Sequence, residues 1–105
     1  MTANAIRKDL KEIRYYYSRQ SVFDKVTESV GKNAILDRIT MYNELICNAS
    51  PRLYDLYVSL YLQNNTQDSL SDKLGYTTET ISRLHSRLIK FFQKEMSKKE
   101  ENTNG

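Results

Sequence analysis

The sequence predicts an all-α protein, a compact helical bundle carrying a helix-turn-helix toward its C-terminal side. Apolar residues recur at steps of three and four along most of the 105 residues. There are only three glycines and one proline, and almost no alternation of β-branched with polar residues. That combination is the signature of amphipathic helices and not of strands.

Six helices follow in order. The first is expected from about Ala3 to Arg19, where Ile6, Leu10, Ile13 and Tyr17 form a narrow apolar stripe of the kind that packs as a seam. The second begins after Ser21 as N-cap, buries Val22, Phe23, Val26 and Val30, and stops at Gly31; it is either separate or a continuation of the first. The third runs from about Asn33, an N-cap, to Asn48, with Ile35, Ile39, Tyr42 and Ile46 on one face. Ser50 and Pro51 then supply a cap and a first-turn proline for a fourth helix, LYDLYVSLYL, apolar on nearly every side and so expected at the centre of the domain. Thr66 caps a short fifth helix that closes at Gly75. Thr77 caps the sixth, which is expected to reach about Met96 before a solvated tail. Three segments result: residues 1–48 as an N-terminal helical layer, 49–96 as the helix-turn-helix unit, and 97–105 as a disordered tail.

One domain of this length buries enough surface to need neither disulfide nor metal. Cys47 is the lone cysteine and lies on the apolar side of a helical pattern, which reads as reduced core, with a modifiable thiol as the alternative. No run approaches the roughly 20 apolar residues of a membrane span, and MTANAIRKDLKEI is charged where a signal peptide would be apolar. A cytoplasmic protein is expected. There is no phosphate-binding glycine loop, no metal-ligand motif and one histidine, so neither an enzyme nor a cofactor is expected.

Net charge is +3, and its location matters more than its size. Residues 1–50 hold eight basic side chains against six acids, 51–82 hold two against four, and 83–99 hold six against one. On the last helix Ile81, Leu84, Leu88 and Phe91 share one face, while Arg83, Arg87, Lys90 and Lys94 share another. Such a helix buries one side and offers a cationic stripe on the other.

A helix-turn-helix needs a small residue where its helices cross, a turn residue tolerant of positive φ, and apolar groups between the helices. Ser71 is the small residue and Gly75 the turn; Leu70, Leu74, Tyr76, Ile81 and Leu84 are the apolar set. DSLSDKLGYTTETISRLHSRLIKFF resembles region four of the sigma-70 family, and small sigma-like transcriptional regulators of phages and other mobile elements in Gram-positive bacteria. The resemblance covers about residues 51–93. It implies a transcriptional regulator that binds double-stranded DNA with its last helix in the major groove, and it places base contacts on Thr78, Glu79, Ser82 and Arg83. Nothing upstream resembles the polymerase-binding, DNA-melting part of a complete sigma factor.

From the residues themselves, Arg83 near the helix start is placed to bridge guanine O6 and N7. Arg87, Lys90 and Lys94 further along suit phosphates, as do Thr66, Gln67 and Thr77 at helix starts with free N–H groups. Glu79 and Arg83, four apart, could instead form a surface ion pair. His85 suits packing or a phosphate contact better than catalysis. Tyr54, Tyr57 and Tyr61 read as core with their hydroxyls at the surface. Because one short recognition helix gives limited specific affinity, RNA polymerase or a second copy of the chain is expected to assist.

Ile6, Leu10, Ile13, Tyr15 and Tyr16 are the candidate partner or dimer contacts, because three adjacent tyrosines cannot all face one seam. They support a different class of function, a helical module docking on RNA polymerase or another protein. The DNA-recognition subunit of a phage packaging complex is a third reading.

Overall fold

The computed structural model describes residues 1–19 and 34–104, with side chains described over 1–19 and 35–99. The helix expected between Ser21 and Gly31, with Val22, Phe23, Val26 and Val30, lies outside the described residues, as does the Asn33 cap. Every regular element among the described residues is helical.

Helix α1 spans Ala3–Ser18, and the Thr2 hydroxyl accepts from the Ala5 N–H at 3.1 Å. Its buried residues are Ile6, Leu10, Ile13 and Tyr16. Tyr16 thus takes the place expected for Tyr17. Tyr17 sits half-buried at the edge, where its hydroxyl accepts from Asn43 Nδ2 at 3.3 Å. Ile6, Leu10 and Ile13 are fully enclosed, which removes them and Tyr16 as partner contacts: the bundle itself covers the seam.

Helix α2 spans Ala34–Ile46 and buries Ile39, Tyr42, Leu45 and Ile46. It ends before Asn48 because Asn48 N–H bonds the Leu45 carbonyl and Ala49 N–H the Ile46 carbonyl, each at 3.0 Å, tightening the last turn. Cys47 therefore leaves the helical phase and is exposed, which corrects the core reading.

Helix α3 spans Pro51–Tyr57 and continues without interruption as a π turn, Val58–Leu62. Ser50 has the extended backbone of an N-cap but makes no side-chain capping bond. At the far end the Gln63 N–H reaches the Val58 carbonyl at 2.8 Å, one residue beyond α-helical reach. Leu56, Tyr57, Leu60 and Tyr61 are buried, but Tyr54 is 43% exposed, so it belongs to the surface. The Tyr57 hydroxyl is not at the surface either; it donates to Asn43 Oδ1 at 2.7 Å. Burial raises its pKa well above the ordinary tyrosine value, and the phenol stays neutral.

Helix α4 spans Gln67–Leu74, with the Thr66 hydroxyl accepting from the Ser69 N–H at 3.0 Å. Gly75 closes it at φ 70°, a left-handed conformation that costs a side-chain-bearing residue roughly 1–2 kcal/mol. The Ser71 hydroxyl donates to the Tyr76 carbonyl, tying helix to turn. Leu70 is buried, whereas Leu74, at the last position beside the turn, is 47% exposed and rims a shallow cleft with Tyr76 instead of packing between the helices.

Helix α5 spans Thr78–Asn104, and the Thr77 hydroxyl accepts from the Thr80 N–H at 3.1 Å. It runs past Met96, where a tail was expected. The residues that follow include lysines and glutamates, which favour helix, and Lys98 bridges to Glu95 one turn back at 3.5 Å. Its buried face is Ile81, Leu84, Leu88, Ile89, Phe92 and Met96. Phe91, expected in that face, is half-buried. The buried arc is wider than a two-helix seam because α5 packs against α1, α2, α3 and α4 alike. One continuous core draws on residues from Ile6 to Met96, so the two halves of the chain are not cored separately.

Candidate nucleic-acid interface

With its apolar arc committed to the core, α5 has one face left. Arg83, Arg87, Lys90 and Lys94 are all exposed there, at steps of four, three and four. Eleven residues of helix place about 16 Å between the first and the last. Among the described residues no carboxylate lies within ion-pair distance of any of the four; the ion pairs found are Arg38 with Asp9, Arg38 with Glu12, and Lys98 with Glu95. The surface pair suggested for Glu79 and Arg83 is therefore not made. Glu79 instead occupies the first turn of α5, where its charge complements the helix dipole.

Thr78, Glu79 and Ser82 are exposed on the same opening turns as Arg83. The four residues assigned to base contacts thus lie together at the exposed start of one helix. Thr66, Gln67 and Thr77 are exposed as well, but the two threonines already act as caps. Thr77 also shares a hydrogen bond with the Thr80 hydroxyl at 2.9 Å. Asp68 in the first turn of α4 puts a negative charge beside Gln67, which weakens that helix start as a phosphate site.

Thr66 follows a turn that the sequence did not single out. Asn64 adopts φ 59°, and Arg14 of α1 donates from Nε to Asn64 Oδ1 at 2.8 Å and from Nη2 to the Asn65 carbonyl at 3.2 Å. Lys73 donates to Asn65 Oδ1 at 2.9 Å. Two cations from separate helices thus meet on neutral groups next to the start of α4. Only the fold brings Arg14 and Lys73 together, since they lie far apart in the chain.

His85 lies at the edge of the core, hydrogen-bonded through Nε2 to the Tyr61 hydroxyl, with the two rings 6.0 Å apart. Burial lowers the His85 pKa, and the nearby Arg7 charge lowers it further. Burial pushes the Tyr61 phenol up to about 12, with Arg14 and Arg7 opposing the rise. A neutral imidazole hydrogen-bonded to a neutral phenol is a packing arrangement and not a phosphate-binding cation.

The lowered His85 value has a consequence for stability. The unfolded chain takes up the proton first as pH falls through its ordinary value of 6.5, so the contribution is complete above that pH and is lost below it. Wild-type protein should show a falling urea midpoint from about pH 7.5 to about pH 5.5, and His85→Gln a flatter profile over the same interval. Equal slopes for the two proteins would contradict this account.

Among the described residues, no three His, Cys, Asp or Glu side chains gather as metal ligands, and no helix is long and apolar enough to cross a membrane. No family model matches the chain, and no curated protein or solved structure is found similar to it.

Proposed function

We propose that the chain is a cytoplasmic, sequence-specific DNA-binding transcriptional regulator of the kind that region four of sigma-70 proteins exemplifies, with α4 and α5 as its helix-turn-helix. The observation that carries the reading is the stripe of Arg83, Arg87, Lys90 and Lys94: four exposed cations on one helix face, with no ion-pairing acid among the described residues. A stripe of that kind binds a polyanion, and its position beside Thr78, Glu79 and Ser82 suits a helix entering the major groove from its N-terminal turns. Arg83 reads a guanine edge, and the later cations hold phosphates. A second copy of the chain or RNA polymerase adds the affinity that one recognition helix lacks.

The protein-interaction reading has less to draw on: of Ile6, Leu10, Ile13, Tyr15 and Tyr16, only Tyr15 reaches the surface, at 53% exposure, and the other four are buried. Selection of bound duplexes from a random DNA pool tests the DNA reading. Wild-type protein should enrich a defined sequence, and Arg83→Ala should lose about 1–3 kcal/mol on it and tolerate changes at one base position. Wild-type protein that binds no duplex, or binds with no dependence on salt, would overturn the proposal.

A further inference from the structure

Helix α1 packs against the π turn Val58–Leu62, and one of its edges reaches the loop that follows, at Asn64. Lys11, Arg14, Tyr15 and Ser18, at positions i, i+3, i+4 and i+7, share one helix face, and with Asn64 they line an open groove of about 230 Å³. Among the described residues no carboxylate lines it. The acids of α1, Asp9 and Glu12, are both engaged elsewhere, on Arg38 of α2. Positive charge gathers around the groove instead: Lys73 of α4 donates to Asn65 Oδ1 at 2.9 Å, and the Arg19 guanidinium lies 5.2 Å from the centre of the Tyr15 ring.

The fold also orients the donors of the groove. Arg14 uses Nε on Asn64 Oδ1 at 2.8 Å and Nη2 on the Asn65 carbonyl at 3.2 Å. A guanidinium carries five N–H groups, so three remain for a ligand. Arginine only donates, so the Asn64 oxygen must face it, and the amide nitrogen of Asn64 keeps both of its N–H groups for a ligand. Lys11 is exposed and makes no ion pair among the described residues. Asn64 itself is held at φ 59°, directly after the π turn. π turns and left-handed residues concentrate at functional sites, and here the two irregularities together set one amide against one guanidinium.

We propose that this groove binds a small phosphate monoester, with Arg14 and Asn64 donating to the phosphate oxygens and Lys11 supplying the second positive charge. A monoester carries about −1.5 to −2 charge near pH 7 and three strong acceptor oxygens. Two lining cations and an amide match it in charge and in donors, whereas a carboxylate, with one charge and two oxygens, leaves donors unmatched. The site is separate from the base-contact residues of α5 and stands whether or not the chain binds DNA. Through Asn65 and Lys73 it adjoins α4, so an occupied groove bears on the first helix of the helix-turn-helix.

The test titrates nitrogen-15-labelled protein with phenyl phosphate, a monoester, and follows amide shifts by NMR, with dimethyl phosphate and acetate as parallel probes. Saturable shifts should appear at Lys11–Ser18 and at the Asn64 side-chain amide with phenyl phosphate, and binding of the diester and of acetate should be much weaker. Lys11→Ala and Asn64→Gly should each weaken phenyl phosphate binding roughly 10- to 100-fold, the loss of a charge-assisted contact. Glycine is chosen at 64 because it keeps the left-handed backbone. Lys8→Ala is the control, an exposed cation of the same helix that does not line the groove, and it should bind as wild type does. Wild type with no saturable shift, equal affinity for dimethyl phosphate or acetate, or an equal loss in Lys8→Ala would each overturn the site.

Discussion

Phe92→Ala is expected to cost about 3–5 kcal/mol of folding stability, a large share of the roughly 5–15 kcal/mol that holds an ordinary domain folded. Phe92 has no exposed surface. Its ring meets Tyr42 at 4.9 Å and Tyr57 at 5.7 Å, both in edge-on geometry, and Phe91 at 5.4 Å. The substitution removes the transfer free energy of the ring and leaves a cavity bounded by α2, α3 and α5, which cannot all close on it together. Tyr42 and Tyr57 also cannot simply swing inward, because their hydroxyls are held by Asp9 and Asn43. Urea unfolding of wild type and variant measures the difference; a loss below about 1 kcal/mol would mean that the aromatic cluster does not organise the core.

Replacing Arg83, Arg87, Lys90 and Lys94 together by alanine should have the opposite profile, with stability retained and DNA binding lost. All four are exposed and make no ion pair among the described residues, so folding loses little. Binding loses four counterion-releasing contacts. The slope of log affinity against log salt should flatten by about 3.6, and affinity near 0.15 M salt should fall about a thousandfold. Lys98→Ala is the comparison, since Lys98 already bridges to Glu95 at 3.5 Å. A quadruple variant that keeps the wild-type slope would remove α5 from the interface.

Much of the local structure is legible in the sequence because its causes are local. Thr66, Gly75 and Thr77 mark the bounds of α4 and the start of α5 through bonds that span three residues and a backbone conformation that glycine adopts freely. The basic stripe on α5 is legible for the same reason, since helical periodicity alone fixes which residues share a face. Where neighbouring helices take part, the reading slips. Tyr16 replaces Tyr17, Ile89 and Phe92 replace Phe91, and Leu74 and Tyr54 reach solvent, because burial depends on how many helices surround a face and not on its apolar content. The π turn at Val58–Leu62 has no signature in VSLYL, a run compatible with either pitch.

By itself, then, the sequence determined an all-α chain, the caps and glycine turn that frame its last two helices, and the cationic face of the final one, all properties set within a few residues of backbone. The tertiary structure alone decided which charges remain free. Arg38 of α2 pairs with Asp9 and Glu12 of α1, and Arg14 and Lys73 converge on Asn64 and Asn65. Charge neutralisation acts over a few ångströms in space, whatever the separation along the chain, and a near-balanced count of acids and bases does not record it.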